Sequence, residues 1–118
     1  MGCPLSPQPL RAYAVVRGDL PKNQQTVQIA HAIAELSFNA GKRKDEKFEK
    51  WVKEDRTLIV LRARDECDLK AQHDRIEAAG IVHYMFHEPD RNGEATALAI
   101  YPGTAFEMDS HFEMMQLA

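Results

Sequence analysis

The chain of 118 residues contains only two cysteines, Cys3 and Cys67. They lie far apart, with no CxxC spacing and no His/Cys cluster. A disulfide scaffold and a thiolate zinc site are therefore excluded, and a reducing, cytoplasmic setting is the simpler inference. Long hydrophobic runs are also missing. No segment is apolar for long enough to span a bilayer, and no charged-then-apolar leader marks export, so no membrane partner is expected. Positive charge is not in excess either. Lys and Arg number 15 against 18 Asp and Glu, a formal net charge of −3, so any contact with a polyanion has to be local rather than a matter of global field. Internal repeats and low-complexity segments are absent.

A hydrophobic content of 44% is enough for one core. The chain reads as a flexible N-terminus over residues 1–10, rich in proline ("PLSPQP"), and a single domain over residues 11–118. The opening "MGCPLS" matches the short myristoylation pattern, with Cys3 at the next position; a flexible terminus is the simpler account.

Periodicity then gives the elements. "AYAVVR" (12–17) is a short apolar run of the kind found in a strand buried on both faces. "GDLPKN" turns the chain, and Asn23 is expected to cap a helix over residues 24–38 that closes near Gly41. The charged stretch "KRKDEKFEKWVKED" predicts a second helix with Phe48, Trp51 and Val52 inward and with Glu46–Lys50 and Glu49–Lys53 pairs on a solvated face. "RTLIVLRA" predicts a second strand. A third helix follows from Asp65 to Gly80, with Leu69, Ile76 and Ala79 inward. "IVHYMFH" and "ATALAIY" predict two more strands joined by the turn "EPDRNG", and residues 104–118 a last helix with Phe106, Phe112 and Met115 packing. This order implies an α/β domain in which helices cover a mixed, mostly parallel sheet of about four strands, the last two antiparallel. Ligands in such sheets favour loops at the carboxyl ends of strands, so "RGDLPKNQQ" is well placed.

The first helix carries Gln24, Gln28, His31 and Glu35 along one line, opposite an arc of Ile29, Ile33 and Leu36 that Val27, Ala30, Ala34 and Phe38 extend. A solvated face or a core-edge histidine would account for this line. Two features favour chemistry instead. The line holds amides and an imidazole, which hydrogen-bond in fixed geometry, where a free face usually carries Lys and Glu. The helix also starts straight after a strand, where its free N–H groups suit an anion or a developing oxyanion. Asp90 in "EPDRNG" is, on the residues alone, most simply a turn-former, and Thr96 and Arg17 ordinary strand residues. His83 and His87 alternate on one strand face, but no third ligand stands at useful spacing, so no metal is expected.

"VVRGDLPKNQQTVQIAHA" followed by "HEPDRNGEATALAIYP" resembles the peptidyl-tRNA hydrolase type 2 family, with its first-strand "VRxDL", its "QxAHA" helix and its acidic loop before a threonine-led strand. The likeness spans roughly residues 12–104. It implies a three-layer α/β/α sandwich, commonly a homodimer, that hydrolyses the ester between a peptide and the 3′ end of tRNA without a cofactor or metal. Matching the motifs puts Gln28 and His31 on the helix, Asp90 on the acidic loop and Thr96 at the strand start, with Arg17 and Asp19 on the strand-end motif. On that pattern His31, Asp90 and Thr96 are the candidate catalytic residues, with Asp90 or His31 as base. Arg17, Asp19, Lys22, Gln24 and Gln28 are the candidate substrate-binding residues. Family members generally show "GK" where this chain has Asn23 and Gln24, so it looks like a divergent subgroup. The loss of that lysine leaves a non-catalytic tRNA- or protein-binding module as the alternative, unless Lys22 replaces it.

Overall fold

A computed structural model describes residues 8–113 and 115–118. The acylation pattern and most of the proline-rich N-terminus lie outside the described residues. Strand β1 (Leu10–Arg17) begins one residue before the expected domain boundary, with Leu10 already buried. The remaining elements are α1 (Lys22–Lys42), α2 (Glu46–Lys50), β2 (Thr57–Ala63), α3 (Glu66–Ala78), β3 (His83–Glu88), β4 (Glu94–Thr104), α4 (Ala105–Phe112) and β5 (Gln116–Leu117). A π-helical turn, Trp51–Asp55, continues α2, and a 3-10 turn, Pro89–Arg91, links β3 to β4.

The five strands form one mixed sheet in the order β3-β4-β1-β2-β5. Strands β1, β2 and β3 share a direction, as their crossover helices require, yet only β1 and β2 pair in parallel. Strand β4 returns from β3 through a tight turn and inserts between β3 and β1, so both of its ladders are antiparallel. The expected predominance of parallel pairing is corrected on that account. A fifth strand also replaces the end of the last expected helix: α4 stops at Phe112, and Gln116 and Leu117 pair antiparallel with β2. Phe112 is buried as expected, but Phe106 is 93% exposed.

Alternation along the strands sends side chains into two cores, which makes the molecule a three-layer sandwich. Tyr13, Val15, Leu61, Leu98 and Ile100 meet Leu69 and Ile76 of α3 and Phe112 of α4 on one face. Ala12, Val16, Ala97 and Ala99 meet Ala32, Leu36 and Ala40 of α1, with Phe48 and Trp51, on the other. The small residues on that second face let α1 lie close to the sheet.

Several element ends differ from expectation for identifiable reasons. Helix α1 begins at Lys22 because Pro21, extended at φ −56° and ψ 147°, offers its carbonyl to the N–H groups of Gln24 and Gln25. Asn23 therefore lies inside the first turn, and no side chain caps the helix. The helix runs through Gly41 and ends where Lys44 takes a left-handed conformation, φ 51°. There the Lys44 N–H donates to the Gly41 carbonyl and the Asp45 N–H to the Ala40 carbonyl, a Schellman closure without its usual glycine. Asp45 then caps α2. Of the two expected ion pairs, Glu49–Lys53 forms at 2.7 Å, whereas Lys50 turns to Asp55 at 2.6 Å. Ala79, expected inward on α3, is exposed.

Because a side chain with a Cβ is strained in the left-handed region, Lys44→Gly is expected to stabilise the fold by about 0.5–1 kcal/mol. Urea unfolding monitored by Trp51 fluorescence measures this as a higher midpoint at unchanged slope.

Candidate functional site

The site is assembled where α1, the end of β1 and the turn before β4 meet. Helix α1 presses Gln25, Gln28, Ala32, Leu36 and Ala40 toward the sheet. Gln28 is thus not on an outward polar line as expected but 1% exposed, at the edge of the buried stripe. Its burial is compensated at both ends of the amide. The Thr96 hydroxyl donates to Gln28 Oε1 at 2.6 Å, and Gln28 Nε2 donates to Glu88 Oε1 at 3.0 Å. These partners fix which end of the amide is oxygen.

Thr96 reaches α1 because of a β-bulge. Phe86 pairs with Ala97 and His87 with Ala95, which leaves Thr96 as the extra residue of β4. Its neighbour Ala97 packs in the α1-side core and Ala95 in the opposite one. Regular alternation would send Thr96 away from Ala97's face; the bulge turns both to α1.

His31 lies one helical turn beyond Gln28. Its ring stacks on Phe86 at 4.6 Å between centroids and 6° between planes, while the residue stays exposed. No ring nitrogen of His31 is hydrogen-bonded among the described residues, so stacking alone sets its position. Glu88 connects this helix row to the acidic turn. Its second carboxylate oxygen, Oε2, stands 3.5 Å from the Asp90 N–H at the head of the 3-10 turn. Asp90 itself is exposed.

Beside this relay sits a charged cluster. Arg17, 6% exposed, grips Asp19 through Nε (3.0 Å) and Nη2 (2.8 Å), and gives Nη1 to Glu94 (2.8 Å) and to the Ala95 carbonyl (3.3 Å). The Ala95 N–H donates in turn to Glu66 Oε2 at the start of α3 (2.8 Å). Hydrogen bonding to Arg17 holds the carboxyl groups of Asp19 and Glu94 below their ordinary range and the guanidinium above its own. Arg91 Nε, buried without a hydrogen-bond partner among the described residues, lies 3.5 Å from Glu94. Gly18, between Arg17 and Asp19, approaches β2 so closely that its N–H reaches the Ala63 carbonyl at 2.7 Å and a Cβ would strike the Arg62 side chain.

Of the expected site residues, Gln28 and Thr96 are in direct contact, and Arg17 and Asp19 form a bidentate pair. His31 and Asp90 flank the relay without joining it by side-chain hydrogen bonds. Lys22 and Gln24 are exposed on the first turn of α1, close in sequence to the buried Gln25, whose amide donates to the Leu20 carbonyl at 2.7 Å. Sequence reasoning missed Glu88, Glu94, Phe86 and Arg91. For Glu94 a signal existed: an arginine at the end of a buried strand has five N–H donors, more than one carboxylate can accept. Pro89, a residue favoured at the first position of a helical turn, similarly marks Glu88 as the residue that caps it. A groove of about 550 Å³ lined by Ala40, Phe48 and Val52 lies elsewhere, about 18 Å along α1 from Gln28.

Chemically, the corner offers an exposed imidazole and an exposed carboxylate with an amide locked from behind, and the exposed Gln24 stands two helical turns before His31 on the same face of α1. That set suits hydrolysis of an acyl group. Residues 10–118 match the family model described as "Peptidyl-tRNA hydrolase PTH2". A protein named "Peptidyl-tRNA hydrolase" from Thermococcus sibiricus (strain DSM 12597 / MM 739) is 33% identical over 95 residues, which cover 75% of this chain and 80% of the relative.

Replacing Arg17 by Met leaves Asp19 and Glu94, each 39% exposed in its side chain, free to resolvate. The expected loss at pH 7 is therefore about 2 kcal/mol, less than for a fully buried pair. Both carboxyl groups have lowered native pKa values. Their contribution is complete above the ordinary values of 3.8 and 4.5 and is lost as pH falls through the lowered ones. The difference between wild type and Arg17→Met in urea titrations should accordingly begin to shrink as pH falls below about 4.

Proposed function

Since this chain belongs to the peptidyl-tRNA hydrolase PTH2 family, we propose that it hydrolyses the ester bond between the peptide, or an N-blocked amino acid, and the 3′ end of tRNA, and so recycles peptidyl-tRNA. The observation that carries this reading is the Thr96–Gln28–Glu88 relay, which joins the "QxAHA" helix to the acidic turn before β4. Two motifs sixty residues apart in sequence thereby border one patch of surface.

In this reading the ester carbonyl lies over the first turns of α1, where the Gln24 amide, two helical turns before His31 on the same face, stabilises the oxyanion. His31 or Asp90 takes the proton from the attacking water. Thr96, fully buried, is a positioning residue: it holds the Gln28 amide, which in turn holds Glu88 and the turn bearing Asp90. Lys22 and Arg91 meet phosphates of the tRNA end, a local contact that an acidic protein can make. The same reading takes the protein to be cytoplasmic. It also takes the protein to be a homodimer, supported by the apolar strip of Val27, Ala30, Ala34 and Phe38, which faces outward on α1 rather than extending its buried arc as expected.

A second reading, a binding module without hydrolysis, is favoured by one feature, the neutral Gln24 where the family carries lysine. Purified protein given N-blocked aminoacyl-tRNA separates the two. Release of free tRNA above the buffer rate supports the enzyme; salt-sensitive tRNA binding with no release supports the module.

If hydrolysis occurs, removal of the true base, by His31→Gln or Asp90→Asn, lowers kcat by about 10²–10⁴-fold, and the other substitution costs less. Thr96→Val lowers kcat and Thr96→Ser restores it, as a positioning hydroxyl requires. Gln24→Lys raises hydrolysis, since a charged donor replaces a neutral one; a gain of ten- to a hundredfold is expected from about 1.4–2.7 kcal/mol of added stabilisation. Lys22→Ala weakens tRNA binding and reduces its salt slope by about one.

A further inference from the structure

At the opposite end of the sheet, the structure gathers three ligand-type side chains that the sequence keeps apart. His73 and Glu77 are four residues apart on one face of α3, and His83 opens β3. One ring nitrogen of each histidine and one carboxylate oxygen of Glu77 lie within 4.8 Å of one another. The two rings meet edge to face at 4.8 Å between centroids. His83 could find no third ligand in sequence because its partners come from a different element. His87, which alternates with it, is not in the cluster.

We propose that His73, Glu77 and His83 bind a borderline divalent cation of the zinc type, in a site separate from the hydrolytic one. Two histidines and a carboxylate are a donor set for such an ion, with water completing four-coordination. Each ring has its Nδ1 beside an oxygen acceptor. His83 Nδ1 lies 2.7 Å from the Ile81 carbonyl, and His73 Nδ1 3.1 Å from Asp74 Oδ1. An oxygen acceptor at Nδ1 holds the proton there and leaves the Nε2 lone pair to the metal, the arrangement that ligating histidines require. Both histidines are half-buried and so limited in motion, whereas Glu77 is exposed and can turn inward. Ligands of a tetrahedral ion with bonds of 2.0–2.1 Å stand about 3.4 Å apart, so closing the cluster takes about 1.4 Å of side-chain movement. Lys70, one helical turn before His73, is paired with Glu66 at 3.5 Å.

Bound there, the ion ties the last turns of α3 to the edge strand β3 across the Gly80 turn. His83 lies about 17 Å along β3 from Glu88, so this clasp touches none of the residues assigned to hydrolysis. It stabilises the folded chain by mass action.

Tag-free full-length protein, stripped with chelator and titrated with cobalt(II), tests the site. One equivalent per chain should produce ligand-field absorption in the visible, zinc should displace it, and zinc should raise the thermal midpoint. His73→Gln and His83→Gln should each weaken binding by at least about tenfold, and His87→Gln should leave it unchanged. If either histidine variant fails to fold, Glu77→Ala, at an exposed position, should give the same loss. Equal titrations for the wild type and Glu77→Ala, or binding abolished by His87→Gln, would overturn the assignment.

Discussion

The hydrogen bond from Thr96 to Gln28 holds the candidate site together. It joins a fully buried hydroxyl on β4 to an amide with 1% exposure on α1, at 2.6 Å, with the small residues Ala32 and Ala97 in the same core. A buried amide left without partners would cost about 1–3 kcal/mol, and Thr96 and Glu88 together remove that cost where α1 lies close to the sheet. The bulge in β4 makes that meeting possible. Glu88 then transmits the constraint to the turn before β4, which sets where Asp90 can stand relative to His31.

Arg17 does comparable work on the other side of the β4 start. Its guanidinium spans Asp19, Glu94 and the Ala95 carbonyl, while Glu66 takes the Ala95 N–H. The backbone at Ala95 is therefore held by side chains from β1 and α3. The two networks make the strand-end corner of the sandwich rigid behind an exposed imidazole and an exposed carboxylate. A rigid support under surface groups is what a preorganised acyl-transfer site needs. The histidine and glutamate cluster at the far end of β3 is independent of this corner and bears instead on how α3 is fastened to the edge of the sheet.

Much of this was legible from local pattern. Apolar runs fixed the four main strands, and capping residues such as Asp65 and Gly80 fixed the ends of α3. The two motifs were enough to give the family and to single out Gln28, His31, Asp90 and Thr96. What misled was helix rotation. Periodicity alone grouped Val27 and Phe38 with the core and Gln28 with the solvent, because side-chain polarity stands in for burial. The buried partners of Gln28 on another element reverse that order.

The sequence by itself determined the four main strands and the helices between them, because hydrophobic period and capping act over a few residues. It also determined that α1 would carry hydrogen-bonding groups in a row. Tertiary structure alone decided that β4 would lie between β3 and β1 and that a bulge would turn Thr96 toward α1. It alone brought Glu88 and Glu94 to Gln28 and Arg17, and His83 to His73 and Glu77. These outcomes depend on strand order, register and close packing, which are properties of contacts between distant residues and have no period along the chain.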